Sequence, residues 1–176
     1  LTLTLTLTLT LTLTLTLSPE TVSLLLEHGV NPFETDISGN DPFMFASMFG
    51  RTDNVKFWLN RFPDWDLERK NKVVGGVALG HAVYMGPHRL ELVKVLLDHG
   101  ASLNHITDGG SSILTALCSC EDADPEILQL LLEKTKSKNV INFKIRGKTF
   151  KWRNIHRLAR LLTRTKVTNS GLMTAL

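Results

Sequence analysis

Few residues in this sequence could act as ligands, nucleophiles or proton carriers, and their spacing decides what they can do. Two of the six histidines close near-identical segments, Leu25-Leu26-Glu27-His28-Gly29 and Leu96-Leu97-Asp98-His99-Gly100. A ring repeated at a helix C-terminus complements the helix dipole, which is a scaffold role. Cys118 and Cys120 lie two apart in a helix-like stretch and cannot readily bridge each other, so they read as small packing residues. No pair of His, Cys, Asp or Glu has zinc-ligand spacing with a second half to match. There is no G-x-S-x-G, and Gly109-Gly110-Ser111-Ser112 reads as a turn rather than a nucleophile elbow. The acids are scattered along turns and helix ends. Neither catalysis, a metal nor a cofactor is expected.

One octet, Asn142-Phe143-Lys144-Ile145-Arg146-Gly147-Lys148-Thr149, admits three readings. It ends in Gly-Lys-Thr like a phosphate loop. However, Asn142 stands where the first Gly belongs, and bulky side chains fill the loop that should cradle phosphate. With Ile141 before it and Lys151 after it, the octet is similar to a calmodulin-binding IQ pattern with Asn for Gln. Its Asn-x4-Gly-x-Thr spacing also repeats the turn at Asn104-x4-Gly109. The turn reading is favoured.

A basic helix is expected next, over residues 148–166. At about 100° per residue, Arg153, Arg157, Arg160 and Arg164 share one stripe, while Ile155, Leu158, Ala159 and Leu162 lie opposite with Trp152. Such a helix suits an anionic membrane surface, a calmodulin-like groove, or the acidic body of this same chain. Aromatics for base stacking are few, so nucleic acid is disfavoured.

The elements that must position these residues fall into three pieces. Residues 1–17 are an uncharged Leu-Thr alternation. It reads as an amphipathic strand with no partner, or as the translation of a tandem hexanucleotide such as CTAACC; we set it outside the fold. Residues 18–135 hold all 17 acids and nine of the 20 Lys/Arg, a balance of −8, and residues 136–176 hold eleven Lys/Arg and no acid. Charge blocks of this size concern partners rather than fold. No run approaches about 18 apolar residues, so no transmembrane segment is expected. The chain opens on Leu1, and its alternating Thr residues do not suit a secretory signal. Two unpaired thiols suggest a cytoplasmic setting, or a nuclear one.

The middle piece repeats. Leu24-Leu25-Leu26-Glu27-His28-Gly29 returns as Val95-Leu96-Leu97-Asp98-His99-Gly100. Looser copies are Phe57-Trp58-Leu59-Asn60-Arg61-Phe62 and Leu130-Leu131-Leu132-Glu133-Lys134-Thr135. Their last positions are 33, 38 and 35 apart. Between them, Asp36-x-x-Gly39-x-x-Pro42-Phe43-x-x-Ala46-x-x-x-Gly50 is echoed by Gly75-x-x-x-Leu79-x-x-Ala82-x-x-x-Gly86 and Gly109-x-x-x-Ile113-x-x-Ala116. These residues resemble the ankyrin repeat. The departures are Met44, Gly80 or Leu114 in place of its His, and extra residues around Pro87-His88 and Glu121–Asp124.

The resemblance covers residues 18–142 and implies an all-α solenoid of stacked helix-turn-helix units. About three units are expected after a leading half unit, as in a fragment, and residues 143–176 form a basic helical segment or a degenerate repeat. Small residues (Ala46, Ala82, Ala116) would let the first helix of each unit approach the second closely. The stripes Val55/Trp58/Leu59, Leu92/Leu96 and Ile127/Leu130/Leu131 would form the core. Gly29 and Gly100 stand where a left-handed cap is needed. By the same resemblance, the chain would bind another protein without catalysing a reaction. Its groove would be lined by Phe45, Met48, His81, Tyr84, Thr115 and Ser119, and its turn tips would be Ser38, Asn40, Asn71, Lys72, Thr107 and Asp108. A regulatory fragment of a larger enzyme or channel is the other reading.

Overall fold

The computed structural model describes residues 18–85, 89–120 and 122–134. Outside these lie the Leu-Thr tract, Pro87-His88, Glu121, the 142–149 octet and the basic helix expected around Trp152, Arg153, Arg157, Arg160 and Arg164.

Among the described residues the elements are α1 (Pro19–Glu27), α2 (Pro42–Met48), α3 (Thr52–Arg61), α4 (Ala78–Tyr84), α5 (Leu90–Asp98), α6 (Ile113–Ser119) and α7 (Pro125–Lys134). They form two rows. The shorter helices α2, α4 and α6 stack on one another as an inner row, and α1, α3, α5 and α7 stack as an outer row. Each inner helix also packs on the outer helix that follows it. The result is three helix pairs preceded by a lone outer helix. At seven to ten residues these helices are too short to be stable alone, so neighbours supply their stability.

The caps follow from sequence. Gly29 and Gly100 take φ of 80° and 97°, and each ends an outer helix in a pair of reversed bonds. Gly29 N donates to Leu26 O and Val30 N to Leu25 O; Gly100 N donates to Leu97 O and Ala101 N to Leu96 O. A side chain at either glycine would strain this left-handed turn. His28 Nδ1 bonds Leu24 O at 2.8 Å and His99 Nδ1 bonds Val95 O at 2.7 Å, so both rings close the helix ends their repetition pointed to.

The core runs between the rows. From the outer helices come Val22, Val55, Trp58, Leu59, Leu92, Val93, Leu96, Ile127, Leu128 and Leu131, and from the inner ones Phe43, Ala46, Leu79, Ala82, Val83, Ile113 and Leu117. The expected stripes are buried, with Leu130 only partly so. Leu24, the first residue of its triplet, points to solvent, and Val22 fills the core instead. One register differs. Ser112 caps α6 through Thr115 N, so the position equivalent to Ala46 and Ala82 is Leu117 rather than Ala116. Of the two adjacent serines it is Ser112 that accepts from Thr115 N, and this starts the helix one residue later than the motif spacing implies.

An aromatic cluster fastens the loop after α1 to the first pair, α2 and α3. Trp65, in the loop after α3, stacks on Phe33 (centroids 5.2 Å apart) and meets Trp58 edge-on at 5.1 Å, with Phe43 and Phe62 around them. The Arg69 guanidinium covers Trp65 at 5.2 Å and Phe33 at 5.8 Å.

Candidate functional site

The inner row is built from three seven-residue helices, PFMFASM, ALGHAVY and ILTALCS. None contains Asp, Glu, Lys or Arg; His81 is the one titrating base in them. Pro42 and the Asp41 cap start α2, where Asp41 Oδ1 accepts from Met44 N at 2.8 Å. Val77 starts α4 without a side-chain cap, and Ser112 starts α6.

Of the residues expected in the groove, Tyr84 is exposed at the end of α4, while Phe45, Met48, His81, Thr115 and Ser119 are half-buried. Stacking of α2, α4 and α6 brings them onto one row. Phe45 stacks on Phe49 with centroids 6.4 Å apart. Thr115 and Ser119 turn part of their polarity inward: Ser119 Oγ donates to Thr115 O, and Thr115 Oγ1 shares a hydrogen bond with Ser112. His81 Nε2 is enclosed without a hydrogen-bond partner, and burial holds its pKa below the ordinary histidine value. The ring is therefore a neutral packing group beside Gly76.

The turn tips divide into two kinds. Asn40 and Asn71 are buried and form a ladder: Asn71 Nδ2 donates to Asn40 Oδ1 at 3.0 Å, and Asn40 Nδ2 donates to Asp36 Oδ2 at 3.1 Å. Asn71 Oδ1 accepts from Val74 N and Gly76 N, which shapes its own turn. These two residues hold the tips in register instead of pointing outward. Lys72 and Asp108 are exposed, and Ser38 and Thr107 are half-buried. Backbone bonds join successive tips, Lys72 N to Ser38 O at 2.8 Å and Asp108 N to Val74 O at 3.0 Å. His105, also buried, bonds Gly75 O through Nε2 at 2.7 Å and ties the third turn to the second.

The sequence reading missed the apolar tip residues. Ile37 is fully exposed, and Val73, Val74 and Ile106 are exposed in the later turns. The available signal was β-branched apolar residues inside turns, where Gly, Asn, Asp and Ser are usual. It also missed Phe49 and Met85, which directly follow α2 and α4 and leave 44% and 42% of their surfaces in solvent; Tyr84 leaves 51%.

Cys118 is buried in α6, its thiol pushed up to about 12 by desolvation, and Cys120 is the buried C-cap of that helix. Both are free. Among the described residues no three His, Cys, Asp or Glu gather in a way that could hold a metal ion, and no helix is long and apolar enough to cross a membrane.

Two rows of stacked helices, with hydrogen-bonded turns projecting from one edge, define a helical-repeat solenoid. Residues 18–57 match the family described as ankyrin repeats (many copies), which supports an ankyrin-repeat protein, and the same alternation of helices continues to Lys134. No curated protein matches it. Ankyrin repeats are protein–protein interaction modules and are typically non-catalytic.

Proposed function

We propose that this array is a non-catalytic scaffold that binds a partner protein through its uncharged inner row and the adjoining turn tips. One observation carries the reading. Three consecutive inner helices lack any Asp, Glu, Lys or Arg, yet they leave Phe49, Tyr84 and Met85 in solvent at their ends. Rigid aromatic and Met side chains on a pre-formed surface are the usual anchors of an interface. The outer row carries charged residues such as Lys56, Glu91, Lys94 and Asp98 and suits solvent. Two buried free thiols accord with a reducing, cytoplasmic setting.

A photo-crosslinking amino acid placed at Tyr84, and separately at Lys94, tests this in cells that make the full chain. Discrete crosslinked proteins are expected from position 84 and not from position 94. The reverse pattern, or equal crosslinking, overturns the proposal.

A further inference from the structure

The acids of the array are unevenly placed. Residues 18–94 carry ten Asp/Glu against eight Lys/Arg, whereas residues 95–133 carry seven Asp/Glu and neither Lys nor Arg. Asp98, at the end of α5, is bonded to Lys134 at the end of α7. Asp122, just before α7, and Glu126 and Glu133 within it are exposed and form no ion pair among the described residues. Residues 136–176 then add eleven Lys/Arg and no acid. The sign of the charge therefore changes abruptly at the last helix pair.

The same pair is open on one side. Helix α4 lies between α2 and α6, but among the described residues α6 has an inner neighbour on one side only, and no outer helix follows α7. The residues that precede the three inner helices are Asp41, Val77 and Ser112, so their second helical positions are Phe43, Leu79 and Leu114. Phe43 and Leu79 are closed off at 1% and 0% exposure, while Leu114 is half-buried. The third positions follow suit. A Cβ at Gly80 would lie 3.6 Å from Ile113 Cδ1, so this position faces the next inner helix. Met44 is buried there, whereas Thr115, on α6, is half-buried.

A stacked unit that lacks one neighbour leaves apolar surface to be covered, and acids gathered on it favour a cover that carries cations. We infer that the chain's own residues 148–166 close this end of the array. The apolar stripe of Ile155, Leu158 and Leu162 lies over Leu114 and Thr115, and the arginines face Asp122, Glu126 and Glu133. The thirteen intervening residues, 135–147, reach up to about 40 Å when extended, enough to bring the stripe back onto α6. The inference does not depend on the scaffold reading, since Tyr84 and Met85 stay exposed at the end of α4 whether or not α6 is covered.

Hydrogen exchange of the full chain, read by mass spectrometry, tests it. In R153Q/R157Q/R160Q/R164Q and in I155S/L158S/L162S, the amides of α6 and α7 should exchange about tenfold faster than in the parent, with α2 and α3 unchanged. D122N/E126Q/E133Q alters only exposed side chains. It should loosen the same two helices and add nothing further to the arginine variant. Circular dichroism confirms that each variant folds, and the acid variant serves if the serine variant does not. Parent-like exchange in both segment variants overturns the inference. Loosening by the serine variant alone overturns the charge pairing and with it the inference as stated. Phosphatidylserine-containing vesicles that bind the full chain without changing exchange in α6 and α7 would assign the segment to a membrane surface and overturn it as well.

Discussion

Arg69 Nε donates to Asp41 Oδ2 across 2.9 Å, joining the loop after α3 to the buried carboxylate that caps α2. The same guanidinium covers Trp65 and Phe33, so one side chain links the start of α2, the aromatic cluster and the loop after α1. Burial raises the Asp41 pKa, opposed by Met44 N–H and the Arg69 charge.

Asp41→Ala removes the α2 cap and leaves Arg69 without its carboxylate. A loss of about 2 kcal/mol is expected. Urea unfolding checks it, with the midpoint falling while the slope stays constant.

Acidification should weaken the array through His81. Its folded pKa lies below the ordinary 6.5 because burial disfavours the charged ring. The contribution of neutral His81 is therefore complete above the unfolded value and is lost as pH falls through 6.5 toward the folded one. Between pH 7.5 and 5.5 the parent should lose about 1 kcal/mol more stability than His81→Leu. Equal losses in the two proteins would show that the ring charges freely in the fold.

The repeat period and the outer-helix stripes could be read from the chain because they follow from residue type alone. Gly29 and Gly100 mark left-handed ends, and Val55, Trp58, Leu92 and Leu96 recur at helical spacing. The direction of a polar side chain in a turn could not be read. Asn40 and Asn71 look like tips in sequence and become an internal ladder only when two turns 31 residues apart are stacked. The α6 register was misjudged because the Ser111-Ser112 doublet offers two adjacent caps, and hydrogen bonding to Thr115 N selects the second.

Asn71→Ala should be more damaging than a typical turn substitution. It removes the bond to Asn40 and unpairs Val74 N and Gly76 N in a buried site, at a cost of about 3 kcal/mol. Thermal unfolding of the variant against Lys72→Ala, an exposed neighbour expected to be neutral within about 0.5 kcal/mol, provides the comparison.

Neither thiol should react in the native protein. With Cys118 buried and its pKa near 12, and Cys120 also shielded, a disulfide reagent at pH 8 should titrate no rapid thiol until guanidinium is added, and then two. A rapid native equivalent would show that the end of α6 opens readily.

The bonds from Lys72 N to Ser38 O and from Asp108 N to Val74 O span the same number of residues, and neither reaches beyond the adjacent turn. Such wiring makes the array divisible. Excising residues 39–74 would set Ser38 O where Val74 O now receives Asp108 N, and a shorter array could close up without a new kind of contact. Evolution can thus lengthen or trim this surface by whole modules, whereas a cut of any other size would leave a seam.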